Sequence, residues 1–337
     1  MSTFAQKSRE WAIGARLWTR LIPVISIAAV LDAWGLATTT DLERSPDGTM
    51  SEVFFVRAKQ GRFVLRGHRA QTADRVAFEH KTMSVARTAG IPTPVVVPTL
   101  EGDDFTWQAN RWWSLLEWIP SRHVQRGAHT TSQARVMGRT LADIHLALGS
   151  LNPHDHRSAP STTGEEALRT IDQVIRAIPR DRRPPEDKWS LVWLEGQKRW
   201  LSTRPDEAPP AHLVAQVIHG DYHDANVLFE GEGLVGVLDW EKAEGGDPAA
   251  EVVRAVHLSF DLALGQTDAF LSGYRSRRAL TDAELDAGAL RYGYGRDRCV
   301  WLFKELYLQG NERMRSLVNP RPFQPFSAFW SRFRLRG

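Results

Sequence analysis

The polar and apolar positions of this chain fall into two rhythms, with short β-rich runs first and helical spacing later. Ala37–Leu42, Val53–Arg57 and Arg62–Leu65 read as successive strands, the last two parted by the turn Lys59-Gln60-Gly61. Ala73–Ala89 has helical character, with Thr72 placed to cap it and Gly90-Ile91-Pro92 to stop it. Val95–Thr99, Phe105–Gln108 and Trp113–Ile119 read as further strands. Beyond them, Val136, Leu141, Ile144, His145 and Leu148 recur near the spacing of one helix face in Ser132–Leu148. Thr163-x-x-Glu166 is a capping box opening a helix to Ile178, and Asp187 to Leu201 forms another. The β pattern returns once, in Val217–Asp239. There Val217 and Ile218 end a strand, His219–Ala225 form a polar loop, and Val227–Phe229 and Leu234–Leu238 fold about the turn Glu230–Gly233. Gly245-Gly246-Asp247-Pro248 reads as a turn. Helices follow over Ala249–Leu264, Asp268–Ser276 and Asp282–Leu317, the last broken near Tyr292–Gly295, before an aromatic, basic tail at Phe323–Arg336 that could dock on the helices.

Composition narrows the function classes. The 337 residues suffice for two lobes of ordinary size. A formal charge of +3, with Lys and Arg spread along the chain, gives no argument for nucleic acid. Cys299 is alone, so no internal disulfide can form and a reducing compartment is the default. Lys7, Arg9, Arg16 and Arg20 ahead of the apolar run Leu21–Leu31 have the outline of a signal peptide. However, the basic part contains Glu10, no small-residue cleavage site is clear, and the run is too short to span a bilayer. The expectation is an unprocessed, cytoplasmic chain with no membrane partner, in which Val24–Trp34 is an amphipathic helix covering the first lobe.

The hairpin Val227–Leu238 carries the candidate chemistry. Asn226 precedes its first arm and Asp239 follows its second, so antiparallel pairing brings the two side chains within a residue or two of each other. Asp221 lies on the loop leading in. Three oxygen-bearing side chains at one mouth suit Mg²⁺ rather than zinc. Phosphoryl transfer from a nucleotide needs this set: Asp221 to orient the attacking hydroxyl and accept its proton, Asn226 and Asp239 to hold the metal bridging the phosphates. A second reading takes His219-x-Asp221 with distal His257 as the two-His, one-carboxylate triad of a non-haem iron oxygenase. That chemistry usually occupies a jelly roll, whereas the sequence after His257 is helical.

His219-Gly220-Asp221, Asn226, Asp239-Trp240 and Gly246-Asp247-Pro248 together resemble, in order and spacing, the aminoglycoside phosphotransferase superfamily, which includes choline kinase and a homoserine kinase type. The resemblance covers roughly Leu36–Gly310. It implies an α+β, two-lobed protein-kinase-like fold: residues 1–116 as a small lobe with an antiparallel sheet, residues 117–337 as a larger, mostly helical catalytic lobe. It implies ATP, with GTP left open, and Mg²⁺. It makes Ser45–Ser51 the loop over the nucleotide phosphates, with Gly48 allowing close approach and Thr49 and Ser51 donating hydrogen bonds. Arg66 stands where a kinase strand carries its phosphate-binding Lys, a departure that leaves the phosphate donor open, and Glu79 is its natural partner. The adenine would bond the backbone near Glu117, Trp118 and Ile119, with Val64, Leu228 and Leu238 around the base and Leu116 behind it. The resemblance also gives Asp247 the task of tying down the catalytic loop, with His219 as a structural neighbour, and makes His145 a core histidine.

The acceptor is a small molecule with a hydroxyl group. Asp224, Glu241, Asp261 and Glu305 are the acidic candidates to hold it, a cluster that would suit an amine-bearing alcohol such as homoserine, a choline-like amino alcohol or an aminoglycoside. A nucleotide-binding protein without turnover is the remaining alternative, which intact Asp221, Asn226 and Asp239 oppose. Monomer and homodimer are equally compatible with the sequence.

Overall fold

Antiparallel pairing joins the β-rich N-terminal runs into one six-stranded sheet. Its strands are β1 (Asp41–Arg44), β2 (Glu52–Ala58), β3 (Gly61–His68), β4 (Val96–Val97), β5 (Thr106–Gln108) and β6 (Arg111–Glu117), in the order β1-β2-β3-β6-β4 with β5 also on β6. The structure, a computed structural model, describes residues 27–36, 41–45, 52–68, 72–156, 162–179, 184–204, 207, 210–211 and 213–335. Gly48, Thr49 and Ser51 lie outside the described residues, as do 37–40 of the first expected strand and 24–26 of the first expected helix.

The sheet is covered on one face by α1 (Ile27–Leu31) and the 3-10 turn Asp32–Trp34. Val30, Leu31 and Trp34 bury there with Phe54 and Val56 of β2, Leu65 of β3 and Trp113 and Leu115 of β6. Residues i and i+2 of a strand share a face, which is why these alternate positions form one core. The Trp34 indole donates to the Val97 carbonyl at 2.9 Å and fixes the helix to the edge strand.

The helix α2 (Ala73–Thr88) is capped by Thr72, as expected. Its Phe78, Met83 and Ala86 join Leu116 in the main core, so α2 couples the sheet to the helical remainder. That remainder centres on α3 (Thr131–Leu148), α6 (Pro248–Phe260) and α7 (Leu264–Arg275). Helices α3 and α7 cross with backbones nearly touching: a Cβ on Gly138 would lie 2.0 Å from the Phe270 carbonyl oxygen, and one on Gly273 2.1 Å from that of Arg135. A second core lies between α4 (Gly164–Ala177), α5 (Pro185–Ser202), α9 (Trp301–Tyr307) and the turn Glu312–Leu317. Thr163 and Glu166 form the expected capping box at the start of α4.

Two sequence expectations change, and a third holds. Gly245 and Gly246 are not in a turn but in a short strand, β10 (Glu244–Gly246), which pairs antiparallel with β7 (Gln216–Ile218). The backbone is extended because a partner strand satisfies it, which local composition cannot reveal. The expected break near Tyr292–Gly295 falls instead at Cys299–Val300, since α8 (Asp282–Arg298) continues through Gly293, whose Cα side receives the Phe326 ring. Finally, the tail forms α10 (Phe326–Arg334), and Phe326 and Phe333 bury in the main core, so the tail docks as expected.

Candidate active site

The arms of the hairpin are β8 (Val227–Glu230) and β9 (Gly233–Val237). They continue into the mouth through one further bond, in which the Leu238 amide donates to the Asn226 carbonyl at 2.8 Å. Asn226 and Asp239 are thereby held as near neighbours. The Asn226 side-chain amide then donates to the Asp221 carbonyl at 2.8 Å and ties the loop to the hairpin. The three residues proposed from sequence are thus brought together by one backbone bond and one bond from the Asn226 side chain to the loop backbone.

The loop itself is shaped by buried polar groups. Gly220 has φ +79, and a Cβ there would lie 2.0 Å from the Lys242 carbonyl oxygen, so both conformation and space demand glycine. His219 is fully buried against Trp240, with ring centroids 4.5 Å apart. Its Nδ1 accepts from the Asp221 amide at 3.2 Å and its Nε2 donates to the Leu238 carbonyl at 3.1 Å. Burial lowers its pKa, which suits this neutral tautomer. With both ring nitrogens spent on backbone, His219 cannot ligate iron, and His257 is turned onto the Tyr292 hydroxyl at 2.8 Å. The two-His triad is therefore not assembled.

The residue that ties down the loop is Glu251, not Asp247. Glu251 of α6 accepts from the Gly220 amide at 2.5 Å, the His219 amide at 3.2 Å and His145 Nε2 at 2.8 Å. Burial pushes its carboxyl up, but the His145 hydrogen bond and the neighbouring cations outweigh this and hold it below the usual range. Asp247 instead caps α6 through the Ala249 amide at 3.0 Å and pairs with Arg291 at 2.5 Å. Asp247 precedes Pro248 at the first helical position, so its geometry is that of a cap. His145, also bonded to the Tyr274 hydroxyl at 2.7 Å, is the core histidine expected.

Asp221 is buried and faces cations. Lys242 Nζ donates to it at 3.0 Å, Arg254 donates through Nη2, and His223 Nε2 lies 3.6 Å away. Burial pushes the Asp221 carboxyl up, but Arg254, Lys242 and His223 together hold it well below the usual carboxylate range. Sequence reasoning missed Lys242, Arg254 and Glu251. The available signal was α6 itself, since Glu251 and Arg254 are three residues apart and share a helix face.

On the sheet side, Arg66 reaches the expected Glu79, with Nη1 at 2.9 Å from its carboxylate. Its Nη2 donates to Asp239 at 2.8 Å and also to Glu241. Burial favours the neutral guanidine, but the three carboxylates outweigh it and keep Arg66 charged. Glu79 is pushed up to about 7 by burial, against the pull of Arg66. Glu241 therefore stands on the sheet side, paired with Arg66. Asp224 is buried in a 3-10 turn, with His223 Nδ1 at 3.2 Å from its carboxylate. Asp261 ends α6 in the left-handed conformation and faces Arg321 at 3.4 Å. Glu305 lies on α9 in the second core, and among the described residues no hydrogen bond or ion pair joins it to the loop. The four acidic candidates do not form one cluster.

Two of the three amides in the expected hinge Glu117–Ile119 are already engaged. The Glu117 amide already donates to Val95 and the Trp118 amide to Arg62, at 2.9 and 3.0 Å. This leaves the Ile119 amide without a backbone acceptor among the described residues. Val64 pairs with Leu116 across β3 and β6, and Ile119 lies beside Leu228 over Gly236, so these apolar residues are grouped near the hinge. Leu238 is half-buried at the mouth.

Asn226 Oδ1 and the second oxygen of Asp239 take no protein donor among the described residues. These hard oxygens fit a Mg²⁺ ion whose remaining ligands come from phosphate and water. Among the described residues no group of three or more His, Cys, Asp or Glu could hold a metal. The pair would therefore depend on the nucleotide to complete a site. No helix among the described residues is long and apolar enough to cross a membrane.

Known proteins share this fold. The chain is similar to homoserine kinase of Brucella ovis, 24% identical over 269 residues that cover 78% of each chain. Its fold superposes on an aminoglycoside phosphotransferase from Alicyclobacillus acidocaldarius with a TM-score of 0.61, at 18% identity, over 96% of this chain and 98% of that one. Spectinomycin phosphotransferase in complex with ADP and spectinomycin gives a TM-score of 0.59 at 13% identity, over 92% of both chains. The antiparallel sheet followed by the larger helical part is thus the kinase-like fold of these enzymes. Residues 41–287 match the family described as "Phosphotransferase enzyme family", and with most of the chain so matched, this protein belongs to that family of phosphotransferases.

Proposed function

We propose that the chain is an ATP- and Mg²⁺-dependent kinase that transfers the terminal phosphate to a hydroxyl of a small metabolite or antibiotic. The observation that carries this is the convergence of Asp221, Asn226 and Asp239, fixed by the Leu238-to-Asn226 and Asn226-to-Asp221 hydrogen bonds. In this reading residues 1–116 form the nucleotide lobe and 117–337 the acceptor lobe. The Ile119 amide meets the base, and Val64, Leu228 and Leu238 enclose it. Arg66 grips phosphate oxygens through its planar fork while Glu79 holds it in place. Asn226 and Asp239 hold the metal, which neutralises charge on the phosphates when bound.

Asp221 accepts a hydrogen bond from the acceptor hydroxyl and aligns its oxygen for in-line attack. Because Lys242 and Arg254 hold it ionised, it enters each turnover as an acceptor of hydrogen bonds. Similar proteins differ in their acceptors, as homoserine kinase, spectinomycin phosphotransferase and an aminopropanol kinase illustrate. Supply of ATP places the reaction in the cytoplasm.

The test is ADP release from Mg-ATP, and in parallel GDP release from Mg-GTP, over a panel of homoserine, amino alcohols, aminoglycosides, hydroxy acids and macrolides. The native protein should show acceptor-stimulated release that Asp221→Asn lowers by about 10²–10⁴-fold. Absence of any nucleotide binding would overturn the reading.

A further inference from the structure

Around the catalytic carboxylate the charges are positive, the reverse of the acidic cluster expected from sequence. Lys242 and Arg254 both pair with Asp221, and His223 lies beside it. Arg126 donates to the His257 carbonyl on α6, the helix that carries Arg254, at 3.3 Å. Of the acidic candidates, Glu241 pairs with Arg66 and Asp261 with Arg321, while Asp224 stays on the loop beside His223. Two cations, Lys242 and Arg254, thus pair with the one carboxylate of Asp221.

Arg254 has an open valence. Its Nη2 is on Asp221, while Nη1 is buried and has no hydrogen-bond partner among the described residues. The planar guanidinium fork matches a carboxylate or phosphate, and an unmet N–H on it is costly. Lys242 is half-exposed, with a side-chain exposure of 53%, and so offers an open edge to the same place.

Building on the kinase reading, we propose that the acceptor is an anionic alcohol, a short hydroxy acid whose carboxylate is held by Arg254 and Lys242 while its hydroxyl lies on Asp221. Two hydrogen bonds of about 2.9 Å to neighbouring groups place the hydroxyl and the carboxylate roughly 4–6 Å apart, a span of about two to four carbons. An ammonium group in this position would face Arg254 and Lys242 and be repelled. The transferred phosphoryl group goes from ATP to the hydroxyl oxygen, ADP leaves, and the hydroxyl proton passes to Asp221 and then to water.

The experiment measures kcat/KM with Mg-ATP for glycolate, lactate and γ-hydroxybutyrate, for their amides, and for the amino alcohols of matching length. It uses the full chain and Arg254→Gln, with calorimetric titration of each acid into the ADP-loaded protein. At least one acid should exceed its amide and amine by about tenfold or more, and Arg254→Gln should bring that ratio near one. The ratio cancels any effect of the substitution on Asp221 itself. A native preference for amine or amide would overturn the proposal. So would an unchanged ratio with a raised KM for ATP, which would assign Arg254 to the nucleotide phosphates. Acid binding that needs Arg254, without ADP release, would keep the anionic pocket and sink the kinase reading. Turnover of only neutral or cationic alcohols, abolished by Asp221→Asn, would do the opposite, and neither binding nor turnover would sink both.

Discussion

Arg66 and Asp239 are 173 residues apart in sequence and joined by a 2.8 Å hydrogen bond in the fold. The same guanidinium grips Glu79 on α2, so one buried cation links the sheet, the helix beside it and the hairpin mouth. Removing it leaves Glu79 in the interior without its ion-pair partner Arg66. Arg66→Ala should cost about 3–5 kcal/mol of stability and raise the KM for ATP. Arg66→Lys, which retains the charge but not the fork, should fall between the two. Denaturant melts and ATP kinetics on both variants check this. Equal stability of the alanine variant and the native chain would refute it.

Glu251 holds three donors, the amides of His219 and Gly220 and the ring of His145, from a fully buried position. Glu251→Ala should lower stability by about 3–5 kcal/mol. It should also lower kcat more than it raises KM, because the loop carrying Asp221 loses its anchor. Glu251→Gln, which can accept at only one oxygen, should recover part of the stability. The readouts are a urea melt and steady-state kinetics. A variant that melts like the native chain with normal kcat would remove Glu251 from this role.

At Gly220 the outcome turns on a backbone clash. With φ at +79 and the Lys242 carbonyl 2.0 Å from the site of an added Cβ, Gly220→Ala cannot keep the loop where it is. The variant should lose nearly all turnover, whereas Gly231→Ala in the hairpin turn, which meets nothing within 4 Å, should keep it. Comparable activity in the two variants would show that the loop conformation is not required.

The acid limb of stability should carry the mark of His257. Burial, aided by Arg296, lowers its pKa from 6.5 to about 3. The unfolded chain therefore binds a proton that the folded one refuses between about pH 6.5 and 3. The stability it contributes is present above pH 6.5 and is lost as pH falls through that window. His80, lowered to about 4 by burial, acts in the same direction, while Glu79, raised to about 7, opposes it. His257→Phe should flatten the fall in Tm between pH 6.5 and 4, even if its Tm at pH 7 is lower through the loss of the Tyr292 bond. An unchanged slope would mean that His257 titrates normally.

Metal dependence separates Asp239 from Asp221. Asp239→Asn removes a charged oxygen from a pair that needs the nucleotide to complete its site, so the Mg²⁺ concentration for half-maximal rate should rise by about tenfold or more. Asp221→Asn should lower the rate at every Mg²⁺ concentration without moving that midpoint. Magnesium titrations of both variants distinguish the two roles, and identical shifts would merge them.

The strands, helices and caps were legible because they depend on neighbours in sequence. Thr72 and Thr163 cap helices through residues three positions away, and the hairpin turn fixes the pairing of its own arms. The same locality made Asn226 and Asp239 readable as a pair, since a short ladder forces them together. β10 was missed because its extended backbone answers to β7, about 28 residues earlier in the chain. The helix break moved to Cys299–Val300 because Gly293 makes room for Phe326 from the tail.

What the sequence determined by itself was the set of groups able to carry phosphoryl transfer and the local geometry that gathers them. What only the tertiary structure decided was the charge around them. Whether Asp221 faces acids or bases depends on which face α6 turns to the loop. That is set by Glu251 accepting two loop amides and by the packing of α6 against α8 at Gly288, contacts between segments far apart in the chain. Helical periodicity puts Glu251 and Arg254 on one face, but only burial against the loop says what that face meets.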